Sequence, residues 1–155
     1  MKTGILWGAL VVVLDRVSKI WAQSALQAGS IAILPGVFSL TYAENTGMAF
    51  SLFSGYPRML AVLSLALVIA VLLAMRGMLP KNRLVCALQG TLLGGGIGNA
   101  IDRFVYGFVI DFIEPTFMQF AIFNVADTAV VISALALIFI SQMRYSEGKN
   151  VGAQR

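Results

Sequence analysis

Residues 120–143 read FAIFNVADTAVVISALALIFISQM, a run whose only ionisable side chain is Asp127. A helix that crosses a bilayer needs about 20 mostly apolar residues, because the hydrocarbon core is about 30 Å thick and each helical residue rises about 1.5 Å. This stretch is long enough, so its solvent is lipid rather than water. Working outward from it, three further stretches approach the same length and polarity, and the helices are expected at about 5–25, 59–75, 84–103 and 120–143. The first is apolar from Ile5 to Leu14 and carries charges from there to Ala25. Composition agrees: 59% of residues are apolar and 12% charged, against roughly 25% charged in an ordinary soluble domain. The reading is an all-α integral membrane protein of four transmembrane helices, forming one membrane domain over residues 1–155.

The basic residues set the orientation. Lys2, then Arg76, Lys81 and Arg83, then Arg144, Lys149 and Arg155 all fall on one side of four spans, which is therefore expected to be cytoplasmic, with both termini there. The outer connections, Leu26 to Pro57 and Phe104 to Gln119, hold no Lys or Arg. Arg16, Lys19, Arg58 and Arg103 lie within or at the outer ends of spans and are expected to snorkel toward headgroups. A cleaved signal peptide is the competing reading of the first segment, with Lys2, the Ile5–Leu14 run and the small residues Ala22 to Ala25. Asp15, Arg16 and Lys19 interrupt the path to that cleavage site, and removing the segment would break the charge bias.

The chain has no His and one Cys. That excludes Ser-His-Asp and Cys-His hydrolases, HExxH zinc sites, internal disulfides and Cys-rich metal sites. If the protein is an enzyme, its acid–base chemistry must come mainly from seven carboxylates: Asp15, Glu44, Asp102, Asp111, Glu114, Asp127 and Glu147. Charges at membrane depth are costly, so each is either functional or part of an ion pair. Asp15 and Lys19 stand i, i+4 on one helix face, where a structural pair is the first reading. Asn99, Asp102 and Arg103 repeat that geometry and read as a network anchoring the outer loop. The Gly94–Gly98 run lacks the residues of a phosphate loop and reads as a close-approach surface between helices.

Asp127 follows Asn124 by three residues, so both are expected on one face of the fourth helix. Asp111 sits in the apolar run Phe108 to Ile113, which would hold its carboxylate in low-dielectric surroundings. Two acids from different elements could thus meet at the outer interface, share one proton, and act as base and acid; spacing alone leaves this open. In the outer loop, about 26–57, the Pro35-Gly36 turn precedes a strand expected from Val37 to Ala43. Phe38, Leu40 and Tyr42 on one face would make a small β-containing exoplasmic (periplasmic) subdomain, a lid over a lipid-borne substrate, or an inert loop.

These blocks together resemble the lipoprotein signal peptidase (signal peptidase II) family: Asp15-Arg16-Val17-Ser18-Lys19, Asn45-Thr46-Gly47-Met48-Ala49-Phe50-Ser51, Gly95 to Arg103, Val109-Ile110-Asp111-Phe112 and Phe123-Asn124-Val125-Ala126-Asp127. The resemblance implies a membrane aspartyl endopeptidase that cuts bacterial prolipoproteins before a diacylglyceryl-modified Cys. It implies Asp111 and Asp127 as the catalytic pair, with Asp15, Lys19, Asn45, Gly47, Asn99, Asp102, Arg103 and Asn124 supporting or contacting substrate. It implies the bacterial cytoplasmic (inner) membrane with the site near its outer face. No metal or other cofactor is expected. The expected partners are lipidated prolipoprotein, membrane lipids and globomycin-type cyclic peptide inhibitors, with no nucleic acid and a monomeric protein. Met48 and Ala121 depart from the family pattern where a small residue and Pro are usual. A small transporter or a structural membrane subunit remain as alternatives from other classes; the transporter fits the long uncharged outer loop poorly, and the subunit would need none of Asp111, Asn124 and Asp127.

Overall fold

The computed structural model describes residues 2–47 and 55–152. Four helices carry the fold: α1 (Lys2–Ala25), α2 (Pro57–Ala74), α3 (Arg83–Val105) and α4 (Val125–Gly152). Among the described residues, α2, α3 and Val125–Ser146 of α4 are long and apolar enough to cross a membrane. The 24 residues of α1 suffice by length, with Asp15, Arg16 and Lys19 along it. The chain is a four-helix membrane protein bearing one small sheet, built from β1 (Ile31–Leu34), β2 (Phe38–Asn45) and β3 (Val109–Pro115) in the order β1-β2-β3, antiparallel throughout.

Within lipid, apolar burial gives helices little reason to associate, because the tails are as apolar as the side chains; close backbone approach does the work instead. In this chain α3 touches all three other helices. Along its seam with α1, glycine faces glycine. A Cβ on Gly90 would stand 1.9 Å from the Gly4 carbonyl oxygen, and one on Gly94 2.5 Å from that of Gly8. Higher up, a Cβ on Gly95 would meet the Ala126 carbonyl oxygen at 2.6 Å and one on Gly98 the Asp15 carboxylate at 2.6 Å. The glycine run thus admits both the start of α4 and a buried acid from α1. Below the site, Val68, Met75, Leu79, Val85, Leu92 and Leu137 form an apolar core between α2, α3 and α4.

Local chemistry sets the element ends. Pro57 opens α2, where its missing N–H costs nothing. Asn82 caps α3 by accepting from the Val85 N–H at 2.8 Å. Gly107, at φ +82°, turns the chain from α3 into β3. Pro35-Gly36, with Gly36 at φ +76°, makes the β1–β2 turn closed by Val37 N–H to Leu34 at 2.9 Å.

Three sequence expectations change. The sheet is not confined to residues 26–57, because its third strand comes from the second outer connection; β2 also runs to Asn45 rather than ending at Ala43. The fourth helix begins at Val125, not Phe120: Phe123 exchanges backbone hydrogen bonds with Ile113 at 2.8 and 3.0 Å, which holds that segment extended. Leu40 and Tyr42 pack with Ala22, Leu26 and Phe112, seating the sheet on the end of α1. Only Phe38 of the three aromatic and apolar lid residues is exposed, edge-on to Phe117.

Candidate active site

Asp111 lies in the middle of β3, opposite Ala43 of β2. The strand is fixed one residue earlier, where the Ile110 N–H donates to Asp102 Oδ2 at 3.2 Å. Its carboxylate is 2% exposed and accepts from Asn124 Nδ2 at 2.6 Å and Asn45 Nδ2 at 3.0 Å. Burial pushes this carboxyl up to about 6, and the neighbouring Asp127 carboxylate pushes it the same way, against the two amide donors.

Asp127 approaches from the first turn of α4. Its Oδ1 accepts from Asn99 Nδ2 at 2.7 Å and its Oδ2 from the Asn124 backbone N–H at 3.3 Å. Asn124 precedes the helix instead of sharing its face: its Oδ1 accepts from the Asp127 N–H at 2.9 Å. The two residues form a reciprocal capping box, with Asp in place of the usual Glu.

The amides around the pair have no freedom to turn round. Lys19 Nζ, which can only donate, bonds Asn99 Oδ1 at 2.9 Å, so the Asn99 NH₂ must face Asp127. Asn124 Oδ1 is held by a backbone N–H, and Asn45 Oδ1 accepts from the Gly47 N–H at 3.1 Å. Every amide thus offers a donor to the carboxylates. The site is a pair of acids with all four oxygens addressed by donors.

A buried ion cluster lies beneath. Lys19, fully buried, pairs with Asp15 Oδ2 and Asp102 Oδ2 at 2.8 Å each and donates a hydrogen bond to Asn99 Oδ1. Asp102 also accepts from Arg16, and Asp15 Oδ1 from the Ala126 N–H at 3.1 Å. Arg103 donates to the Gly47 carbonyl at 3.1 Å, tying α3 to the chain just after β2, which ends at Asn45. The ten residues expected at the site, Asp15, Lys19, Asn45, Gly47, Asn99, Asp102, Arg103, Asp111, Asn124 and Asp127, are joined in one network; Met48 to Ser51 lie outside the described residues.

Of the four residues expected to snorkel, Arg58 alone is exposed. Lys19 and Arg103 are buried, and Arg16 turns inward onto Asp102. Helical spacing does not mark Arg16 as a site residue, because it sits one position from Asp15, on a different helix face, while its partner is 86 residues away. The i, i+4 pair of Asp15 and Lys19 exists, extended by Asp102. Among the described residues, no group of three or more His, Cys, Asp or Glu is disposed to hold a metal ion. A cavity of about 760 Å³ opens beside Asp111, lined by Glu44, Asn45, Glu114, Thr116 and Gln119 among others; no spacing in the sequence brings the two glutamates to one site.

The chain has relatives in sequence and in overall structure. A model of the signal peptidase (SPase) II family matches residues 8–143. The lipoprotein signal peptidase of a Synechocystis species is 37% identical over 152 residues, 96% of this chain and 94% of that protein. That of a Nostoc species is 38% identical over 144 residues, 90% of each chain. Among solved structures, a bacterial membrane enzyme determined by the in meso method superposes with a TM-score of 0.82 at 28% identity, covering 96% of this chain and 92% of its own.

Proposed function

The chain belongs to the signal peptidase II family and is a peptidase, and from that premise we propose that it is a membrane aspartyl endopeptidase that removes the signal peptide from bacterial prolipoproteins. The scissile bond is the one on the N-terminal side of the diacylglyceryl-modified Cys, and Asp111 and Asp127 are the pair that activates water.

The observation that carries the dyad is the donor-locked pairing of the two acids across β3 and α4. A count of charge supports it. Asp15, Asp102, Asp111 and Asp127 face Arg16, Lys19 and Arg103, four acids against three cations. Unbalanced charge is expensive away from water, so one proton held by the pair makes the cluster neutral. The ionised member then takes a proton from water as the water oxygen attacks the scissile carbonyl carbon, and the protonated member donates to the carbonyl oxygen. As the tetrahedral intermediate collapses, the C–N bond breaks, one acid gives its proton to the Cys nitrogen and the other takes one from the intermediate. The products are a free carboxyl and a free amine, and the pair again holds one proton. Lys19, Asp15, Asp102 and Arg103 position the machinery from below.

The enzyme works in the bacterial cytoplasmic membrane as one domain over residues 1–155, with both termini inside and the acids near the outer face. The substrate's acyl chains stay in lipid, where each buried CH₂ contributes about 0.8 kcal/mol to holding the peptide at that depth. A monomer suffices, and globomycin-type cyclic peptides would compete for the site.

Purified protein in detergent should cleave a lipidated prolipoprotein and cut the same polypeptide without its lipid poorly or not at all. Equal cleavage of both would replace this reading with a general membrane protease.

A further inference from the structure

Beside Asp111 the cavity of about 760 Å³ is walled, among the described residues, by 43–46, 111, 114–116 and 118–122, all from the outer connections and none from a helix. A signal peptide's apolar stretch belongs among helices in lipid. The one part of the substrate that leaves the membrane is the chain after the lipidated Cys, and this cavity, of mixed polar and apolar lining, opens directly beside Asp111.

Among the described residues that line it, the ionisable ones are all acidic. Glu44 and Glu114 line it with Asp111, and no Lys or Arg does. Both glutamates are held in place: Glu44 Oε1 accepts from the Tyr42 hydroxyl at 3.0 Å, and Glu114 Oε2 accepts from Thr41. Burial, followed by that hydrogen bond to Glu44, pushes the Tyr42 hydroxyl up to about 12, so it stays a donor. The two outer connections carry no basic residue that could neutralise them.

We propose that this groove receives the first residues after the lipidated Cys, and that Glu44 and Glu114 are specificity-determining residues that favour basic over acidic side chains there. The assignment rests on the peptidase reading above. It acts through KM, because the glutamates meet the substrate away from the bond that breaks.

The test uses three lipidated peptides, identical except for Lys, Ser or Asp at the second and third positions after the Cys, cleaved by the full-length protein in detergent. Solvent-exposed charge pairs are modest and screened, so the Lys peptide is expected to have a KM about three- to tenfold below that of the Asp peptide, with Ser between. The preference should shrink in high salt and fall to about one in Glu44→Gln/Glu114→Gln. Glu44→Gln alone, which touches only an exposed side chain, should remove part of it. Equal KM values in the wild type, or a preference that survives the double substitution, would overturn the assignment. Wild-type protein that cleaves none of the three peptides would instead overturn the peptidase reading on which it rests.

Discussion

Asn124 and Asp127 cap each other: the Asn124 carboxamide oxygen accepts from the Asp127 N–H at 2.9 Å, and the Asn124 N–H donates to the Asp127 carboxylate at 3.3 Å. The device that starts α4 is therefore also the one that aims an acid, and the Asn124 NH₂ left over reaches Asp111 at 2.6 Å. The two roles separate by substitution. Asn124→Ala should lose the cap, at about 1 kcal/mol of stability, and the donor to Asp111. Asn124→Ser keeps a capping oxygen and should melt near the wild-type temperature, yet lose activity as Asn124→Ala does. Equal activity in Asn124→Ser and wild type, measured beside thermal unfolding in detergent, would show that the Asp111 contact does nothing.

The proton on the pair sets a pH dependence. Asp111 is raised from 3.8 to about 6, so the native state holds a proton there that the unfolded chain has released. Its contribution to stability is largest below 3.8 and is lost as pH rises to about 6. In kinetics the same group should give kcat/KM a basic limb beginning near 6. The Asn45 amide lowers the Asp111 value, so Asn45→Ala should move that limb to higher pH. A limb that stays still or moves down would separate Asp111 from the titration.

Close approach of α1 and α3 makes Gly90 intolerant of a side chain. Gly90→Ala would push a methyl into the Gly4 backbone, and overpacking of this kind costs about 1–3 kcal/mol. Gly77→Ala meets nothing within 4 Å and should be neutral. Thermal unfolding of both variants in detergent measures the difference; similar midpoints would mean that the seam yields easily.

Orientation follows from the basic link between α2 and α3. A reporter fused after Arg83 should read cytoplasmic and one after Gln119 exoplasmic, because basic residues such as Arg76, Lys81 and Arg83 favour the cytoplasmic side. The reverse result would put the acids on the wrong face.

What the sequence made legible is what is local. Helix length and polarity read out α2, α3 and most of α4, and the four-residue spacing read out Asp15 with Lys19. The partners that close the site are distant in sequence: Asn45 meets Asp111 across 66 residues and Arg16 meets Asp102 across 86. No periodicity reports such pairings. β3 hid within an apolar run that suits a buried strand and a helix end alike. The late start of α4 was in principle legible, since Asn-x-x-Asp is a capping pattern, but the apolar Phe120 to Phe123 masked it. Arg103, placed among snorkelling residues by its position at a helix end, is buried because Gly47 offers it a carbonyl.

The central claim is that Asp111 and Asp127 jointly move the protons of peptide cleavage. Its most direct test is the single-turnover rate on a lipidated prolipoprotein for wild type, Asp111→Asn and Asp127→Asn, each shown to be folded by its thermal transition. Asn fills the same space but cannot exchange the shared proton, and positioned acid–base groups are worth about 10²–10⁴-fold. Each variant should fall by at least that factor. Folded Asp111→Asn or Asp127→Asn protein that cleaves at close to the wild-type rate would contradict the account.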